Sequence, residues 1–148
     1  MEIITQNKKA YFDYHILETL EAGIVLEGAE VKSVKLGQIN LKGAYVVINN
    51  NEAFLINASI APYKMARQES YDPRRSRKLL LHKKQINYLL GKTKEKGITL
   101  LPLKVYLKKG LVKIEIGIAR GKKKYDKREI IKKRESEREI RRALKYRK

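Results

Sequence analysis

Lys104, Tyr106 and Lys108 occupy every second position of the stretch LPLKVYLKK, and Lys113 follows just past the KKG turn. Alternate residues of a strand point to one side, so this spacing gathers three ammonium groups and one phenol ring on a single face of a hairpin. Ammonium groups hold phosphates, and an aromatic ring stacks on a base or ribose; that combination suits a sheet that binds RNA. The segment DPRRSRK adds Arg74, Arg75, Arg77 and Lys78 within five residues, read as an exposed basic loop beside that face. The competing reading is a solvated strand and a solvated loop. The two features together favour phosphate binding.

Residues suited to making or breaking bonds are scarce. His15 and His82 are the two histidines, and neither has a serine or an acid spaced as a relay partner. Glu27 and Glu30 share one side of a turn at a predicted helix start, where glutamates commonly cap backbone amides. LLGKT at 89–93 echoes a phosphate loop, but that motif needs a glycine where this chain has Ile86. Cysteine is absent, which removes disulfides and thiolate metal sites. The sequence therefore predicts no catalytic residue, no metal and no cofactor.

Charge points the same way. Lys and Arg number 35 against 16 acidic residues, a net +19 over 148 residues. From Arg120 to Lys148 there are fifteen basic and five acidic residues, so +10 of that excess sits in the last 29 residues. Such self-repulsion is relieved by a polyanionic partner, with nucleic acid ahead of an anionic membrane. No apolar run reaches the roughly 18 residues of a membrane span, and the first residues lack the basic-then-apolar order of a secretory signal. The expectation is a soluble, cytoplasmic monomer that binds RNA and no membrane.

The elements that must position these residues read as mainly β. DYHILETLEAG is predicted as a short helix, with Asp13 as N-cap, Ile16, Leu17 and Leu20 on one face, and Gly23 past its end. GIVLEG is strand-like, and AEVKSVKLG is a second short element with Gly37 as a C-cap. AYVVINNNEAFLIN is a hairpin around Asn49, Asn50 and Asn51. Residues 59–79 read as a long exposed loop. LHKKQINYLLGKTKEKG is a surface helix with Ile86, Leu89 and Leu90 inward and Gly97 at its end. LLPLKVYLKKGLVKIEIGIARG is the clearest hairpin, with Leu103, Val105 and Leu107 on the buried side of one strand and Val112, Ile114, Ile116 and Ile118 on that of the other. These add up to an OB-like antiparallel β-barrel over residues 1–120 with about three short flanking helices.

Residues 121–148 form a basic C-terminal tail whose apolar residues make no continuous stripe. Glu129 with Lys133, Glu137 with Arg141 and Glu135 with Arg138 have helix-supporting spacings. Such a segment cannot offset its ordering entropy alone, so it is expected to be disordered when free and helical on a partner.

NKKAYFDYHILETLEAGIVLEGAEVKS, DPRRSRKLLLHKKQI, GKTKEKGITLLPLKVYLKKG and VKIEIGIARGKKKYDKR, in that order, resemble the SsrA-binding proteins (small protein B) over about residues 7–128. The resemblance implies an RNA-binding barrel that holds the tRNA-like domain of transfer-messenger RNA (tmRNA) and carries it to stalled ribosomes for trans-translation: ribosome rescue and peptide tagging. It implies RNA-binding roles for Tyr14, Glu21, Tyr45, Leu80 and Lys113, beside Lys104, Tyr106, Arg74, Arg75 and Arg77 taken from the residue pattern. It implies contact with the small-subunit decoding centre and ribosomal RNA for Lys122, Lys123, Lys124, Tyr125, Asp126, Lys127 and Arg128. The chain departs from the family's commoner residues at Ala29 and at Lys42–Gly43–Ala44, positions expected to lie away from any contact. Without the resemblance, a ribosomal protein or general RNA chaperone is the competing reading; a nuclease lacks the acidic cluster and histidine pair it needs.

Overall fold

A computed structural model describes residues 1–65 and 70–122. The chain enters as a strand, β1 (Glu2–Gln6), and turns into a short helix, α1 (Lys8–Asp13). The side chain of Asn7 accepts from the Ala10 amide at 3.3 Å and caps that helix. The next strand, β2 (Tyr14–Ile24), covers the segment whose spacing predicts a helix. The helix lies one turn earlier, and the reason for the misreading is local. Pairing of β2 shifts register between Ile16 and Glu18; the bulge at Leu17 breaks strict alternation, so Ile16, Leu17 and Leu20 imitate helical periodicity.

α2 (Gly28–Lys35) follows, then β3 (Ile39–Asn40), β4 (Tyr45–Asn49) and β5 (Glu52–Ile56). The predicted hairpin is present: Asn50 and Asn51 have φ of 51° and 60°, the left-handed values a tight two-residue hairpin needs and asparagine tolerates. The segment read as one long loop contains two strands, β6 (Ser59–Ile60) and β7 (Arg77–Leu80). α3 (Lys83–Thr93) buries Ile86 and Leu89 as expected and takes up LLGKT as its last turn. The closing hairpin is β8 (Ile98–Lys108) and β9 (Leu111–Gly121), joined through Lys109 and Gly110 with φ of 52° and 76°.

Seven strands form one antiparallel sheet in the order β1-β8-β4-β5-β7-β2-β9, and β8 also pairs with β9. Six of them therefore close into a ring, with β1 beside β8; β3 and β6 pair separately. This ring, with three helices among the described residues, is the mainly β, closed architecture expected. Inside it pack Val46, Leu55, Leu79, Leu100, Val105, Ile114, Ile116 and Ile118, joined by Val34 of α2 and Leu89 of α3.

A second, smaller cluster lies outside the ring, where Ala10 of α1 covers Leu101, Leu103 and Ala119. Leu103 and Val105 thus fall on opposite sides of β8 and not on one. A register shift between Pro102 and Lys104 reverses the alternation there; proline tolerates such a bulge because it has no amide to donate. Gly117 makes room for this cluster, since a Cβ on it would stand 2.7 Å from Leu103 Cδ1.

Candidate nucleic-acid interface

The strand register decides which side chains become neighbours outside the ring. Tyr106 of β8 pairs with Lys113 of β9, Lys113 with Gly23 of β2, and Gly23 with Leu80 of β7. The adjacent row is Lys104, Glu115 and Glu21. Paired and diagonal residues on one face lie within side-chain reach. Glu21, Leu80 and Lys113, far apart in sequence, consequently line one shallow groove of about 450 Å³ with Gly23, His82 and Gln85.

The chemistry of that groove is mixed by design of the rows. Leu80 is 54% exposed, an apolar surface held at the rim. Gly23 lets it lie close, because a Cβ there would be 3.2 Å from Leu80 Cβ. The Glu21 carboxylate accepts from the Tyr106 hydroxyl at 2.6 Å and from Lys108 Nζ at 3.3 Å, both on Oε2. Above all the Tyr106 hydrogen bond, then Lys108 and Lys113, hold its pKa below the ordinary 4.5. Glu21 is thus an anion with Oε1 unused among the described residues, able to accept from a base amino or imino group.

Tyr106 itself is 3% exposed. Its ring is no stacking platform, contrary to the pattern-based expectation; it braces Glu21 from below. Burial first, then the bond to Glu21, pushes its phenol pKa well up. Lys104 is half-buried, opposite Gln6 on one side and Glu115 on the other.

A second groove, of about 710 Å³, lies at the other end of β2. Tyr14 and Tyr45 line it with Lys9, Lys42 and Arg74. Two aromatic rings among three cations form the arrangement that holds a sugar–phosphate backbone and its bases. Lys42, Gly43 and Ala44, expected to lie away from any contact, line this groove. Lys9 escaped the sequence reading because a lysine pair at a helix start gives no pattern to detect.

The basic loop divides. Arg74 is exposed at the groove, whereas Arg77 is fully buried. Its Nε donates to Glu30 Oε2 at 2.9 Å, Nη1 to the carbonyls of Ala58 and Arg75 at 2.8 and 3.1 Å, and Nη2 to Tyr71 Oη and the Pro73 carbonyl at 3.0 and 2.9 Å. All five guanidinium donors are used, leaving none for a phosphate. Arg75 is largely turned inward as well, ion-paired to Glu30 Oε1. Glu30 does accept from the Glu27 amide at 2.9 Å, the expected capping contact, but it is also the buried hub of this network.

Lys122, expected at the ribosome, is tied to α1: its amide donates to the Asp13 carbonyl at 2.8 Å and its Nζ to the Tyr11 carbonyl at 3.2 Å. Lys123, Lys124, Tyr125, Asp126, Lys127 and Arg128 lie outside the described residues. Among the described residues no three acidic or histidine side chains gather as a metal site, and no helix is long and apolar enough to cross a membrane.

A closed basic β-ring with one groove of tyrosines among cations and a second that sets an exposed anion beside an apolar rim defines a nucleic-acid-binding domain of the small-barrel type. The comparisons narrow the class. The SmpB protein family model matches residues 4–146. The chain is 53% identical over 146 residues to an SsrA-binding protein of Geobacillus kaustophilus, covering 99% of this chain and 94% of the relative. It is 56% identical over 144 residues to one of Enterococcus faecalis, covering 97% and 94%. A solved structure described as "tmRNA-SmpB: a journey to the center of the bacterial ribosome" superposes with a TM-score of 0.68 at 48% identity, covering 81% of this chain and 85% of that one. The chain belongs to the SmpB family.

Proposed function

We propose that this protein binds the tRNA-like domain of tmRNA and delivers it to stalled ribosomes in the cytoplasm, acting by binding and not by catalysis. The observation that carries this reading is the convergence of Glu21, Leu80 and Lys113 on one groove. A purely electrostatic RNA binder has no use for an exposed carboxylate at its interface. An anion braced by Tyr106 beside an apolar rim and a lysine is suited to reading unstacked nucleotides, with Lys113 on a phosphate. The Tyr14–Tyr45 groove supplies a second contact on the RNA backbone. The relatives' names and the ribosomal context of the structural neighbour support the same partners.

The basic segment beyond Lys122 has a separate task in this reading. With Asp126, Lys127 and Arg128 at its root, it follows the message channel at the decoding centre and becomes helical against ribosomal RNA. A helix with phosphates on all sides needs no apolar face.

The test is binding across salt. Neutralising on the order of 5 to 8 phosphates gives a log–log slope of roughly −4 to −7. Purified tmRNA should still bind more tightly than bulk tRNA at about 0.2 M salt. Equal affinities would leave only a general RNA binder. A ribosomal protein would instead remain on every ribosome through high-salt washing.

A further inference from the structure

Residues 71–77 alternate: Tyr71, Pro73, Arg75 and Arg77 are wholly or partly buried, and Asp72, Arg74 and Ser76 are exposed. Three of the inward side chains, those of Tyr71, Arg75 and Arg77, meet at one carboxylate. Glu30 takes Arg75 on Oε1, and it takes Arg77 and the Tyr71 hydroxyl (3.1 Å) on Oε2. Tyr71 Oη is also 3.0 Å from the Ile60 carbonyl, which fixes the same loop to β6. Between these anchors Asp72 Oδ1 accepts from the Arg74 amide at 2.9 Å, and the Asp72 carbonyl accepts from the Arg75 amide at 3.2 Å, making a tight turn. Arg74 stands at its outer side, on the rim of the Tyr14–Tyr45 groove.

We propose that Glu30 is a positioning residue for RNA binding: its buried carboxylate fixes the 71–77 turn so that the Arg74 guanidinium is presented to a phosphate lying along the Tyr14–Tyr45 groove. The inference rests on the RNA-binding reading above and adds a residue that touches no RNA. A guanidinium on a mobile loop must give up backbone and rotamer freedom when it binds, and that loss subtracts from affinity. Anchoring the turn at three points removes most of it in advance. Apolar packing could bury the same volume, but it would not set the register of the loop as three directed hydrogen bonds do.

The charge of Glu30 makes the test decisive. Glu30→Gln renders the protein more basic, so electrostatics alone predicts tighter RNA binding and a steeper salt slope. Positioning predicts the reverse. With a tmRNA transcript as the probe, Arg74→Ala should lower affinity about tenfold and make the log–log salt slope shallower by about one. Glu30→Gln should do the same, and the double variant should lose little more than either single one. Tyr71→Phe, which keeps both ion pairs, should lower affinity about two- to threefold in the wild-type background and not at all in Arg74→Ala. Circular dichroism confirms that each variant is folded, and if Glu30→Gln is not, the Tyr71→Phe pair carries the test alone. Losses that add fully, an unchanged slope for Arg74→Ala, or tighter binding by Glu30→Gln overturn the proposal. Its failure is distinct from failure of the tmRNA reading, which is judged on the wild-type preference for tmRNA over tRNA.

Discussion

The Tyr106 hydroxyl donates to Glu21 Oε2 at 2.6 Å, although 85 residues separate the two in the chain. They stand diagonally across β9, since Glu21 pairs with Glu115 and Tyr106 with Lys113. The bond turns an exposed, mobile glutamate into a fixed acceptor whose ionised form is favoured. An anion at an RNA interface is tolerable only if it is worth more as an acceptor than it costs by repulsion.

Glu21→Gln should therefore weaken tmRNA binding by about 1–3 kcal/mol, although the substitution adds to the net positive charge. Titration supplies a second check. The folded pKa of Glu21 is depressed, so whatever its ionisation contributes is present above the ordinary 4.5 and lost as pH falls through the lower folded value. In Tyr106→Phe the pKa should move back up, measured by NMR of the Glu21 carboxyl carbon. Tighter RNA binding by Glu21→Gln would reduce Glu21 to a surface charge.

Gly23 and Gly117 should respond differently to alanine. At Gly23 the nearest atom is the Cβ of the exposed Leu80, 3.2 Å away, so relief takes only a slight shift of β7 beside solvent. Gly23→Ala should leave thermal stability nearly unchanged and lower tmRNA affinity about three- to tenfold, because the apolar rim moves. At Gly117 the obstruction is the fully buried Leu103, and overpacking there should cost about 1–3 kcal/mol in urea unfolding. Unaltered RNA binding by Gly23→Ala would show that the placement of Leu80 does not matter.

The Glu30 network should leave a mark on acid stability. Burial alone would raise the Glu30 pKa; the bonds from Arg75, the Glu27 amide and Arg77 outweigh it and hold the carboxyl below 4.5. A depressed folded pKa contributes stability above the unfolded value, and that contribution disappears as pH falls through the folded one. Wild-type unfolding free energy should thus drop as the pH falls below 4.5 and through the lower folded value, and Glu30→Gln should flatten part of that slope while being less stable at pH 7. Parallel pH profiles would argue that Glu30 is not the titrating anchor.

Ending the chain after Lys122 should separate binding from delivery. Lys122 holds on to α1 through Asp13 and Tyr11, so the ring and both grooves survive. Affinity for tmRNA should stay within about threefold of the full chain, while tagging of stalled peptides in a reconstituted translation system should fail. Replacing Asp126, Lys127 and Arg128 together with alanine should fail in the same way. Normal tagging by the truncated chain would remove the tail from the mechanism.

The β8–β9 hairpin, the Asn50–Asn51 turn and the α3 face were legible in the sequence because each is set by local rules: alternation, left-handed turn residues and helical spacing. So was the net positive charge, which needs no structure to imply a polyanionic partner. Glu21, Leu80 and Lys113 could be singled out by family resemblance, but their meeting in one groove depends on the pairing of β7, β2 and β9. The register shift at Leu17 made β2 look helical, and the one between Pro102 and Lys104 sends Leu103 and Val105, which strict alternation would put on one face, to opposite sides, because a bulge spoils the period on which such readings rely. Arg74 and Arg77 look alike in DPRRSRK, as do Tyr14 and Tyr106 among the tyrosines. Which of them faces solvent is decided by what lies opposite, a groove for one arginine and the buried Glu30 carboxylate for the other. Burial is a property of long-range pairing, and residue type states only what a side chain can do once the fold has placed it.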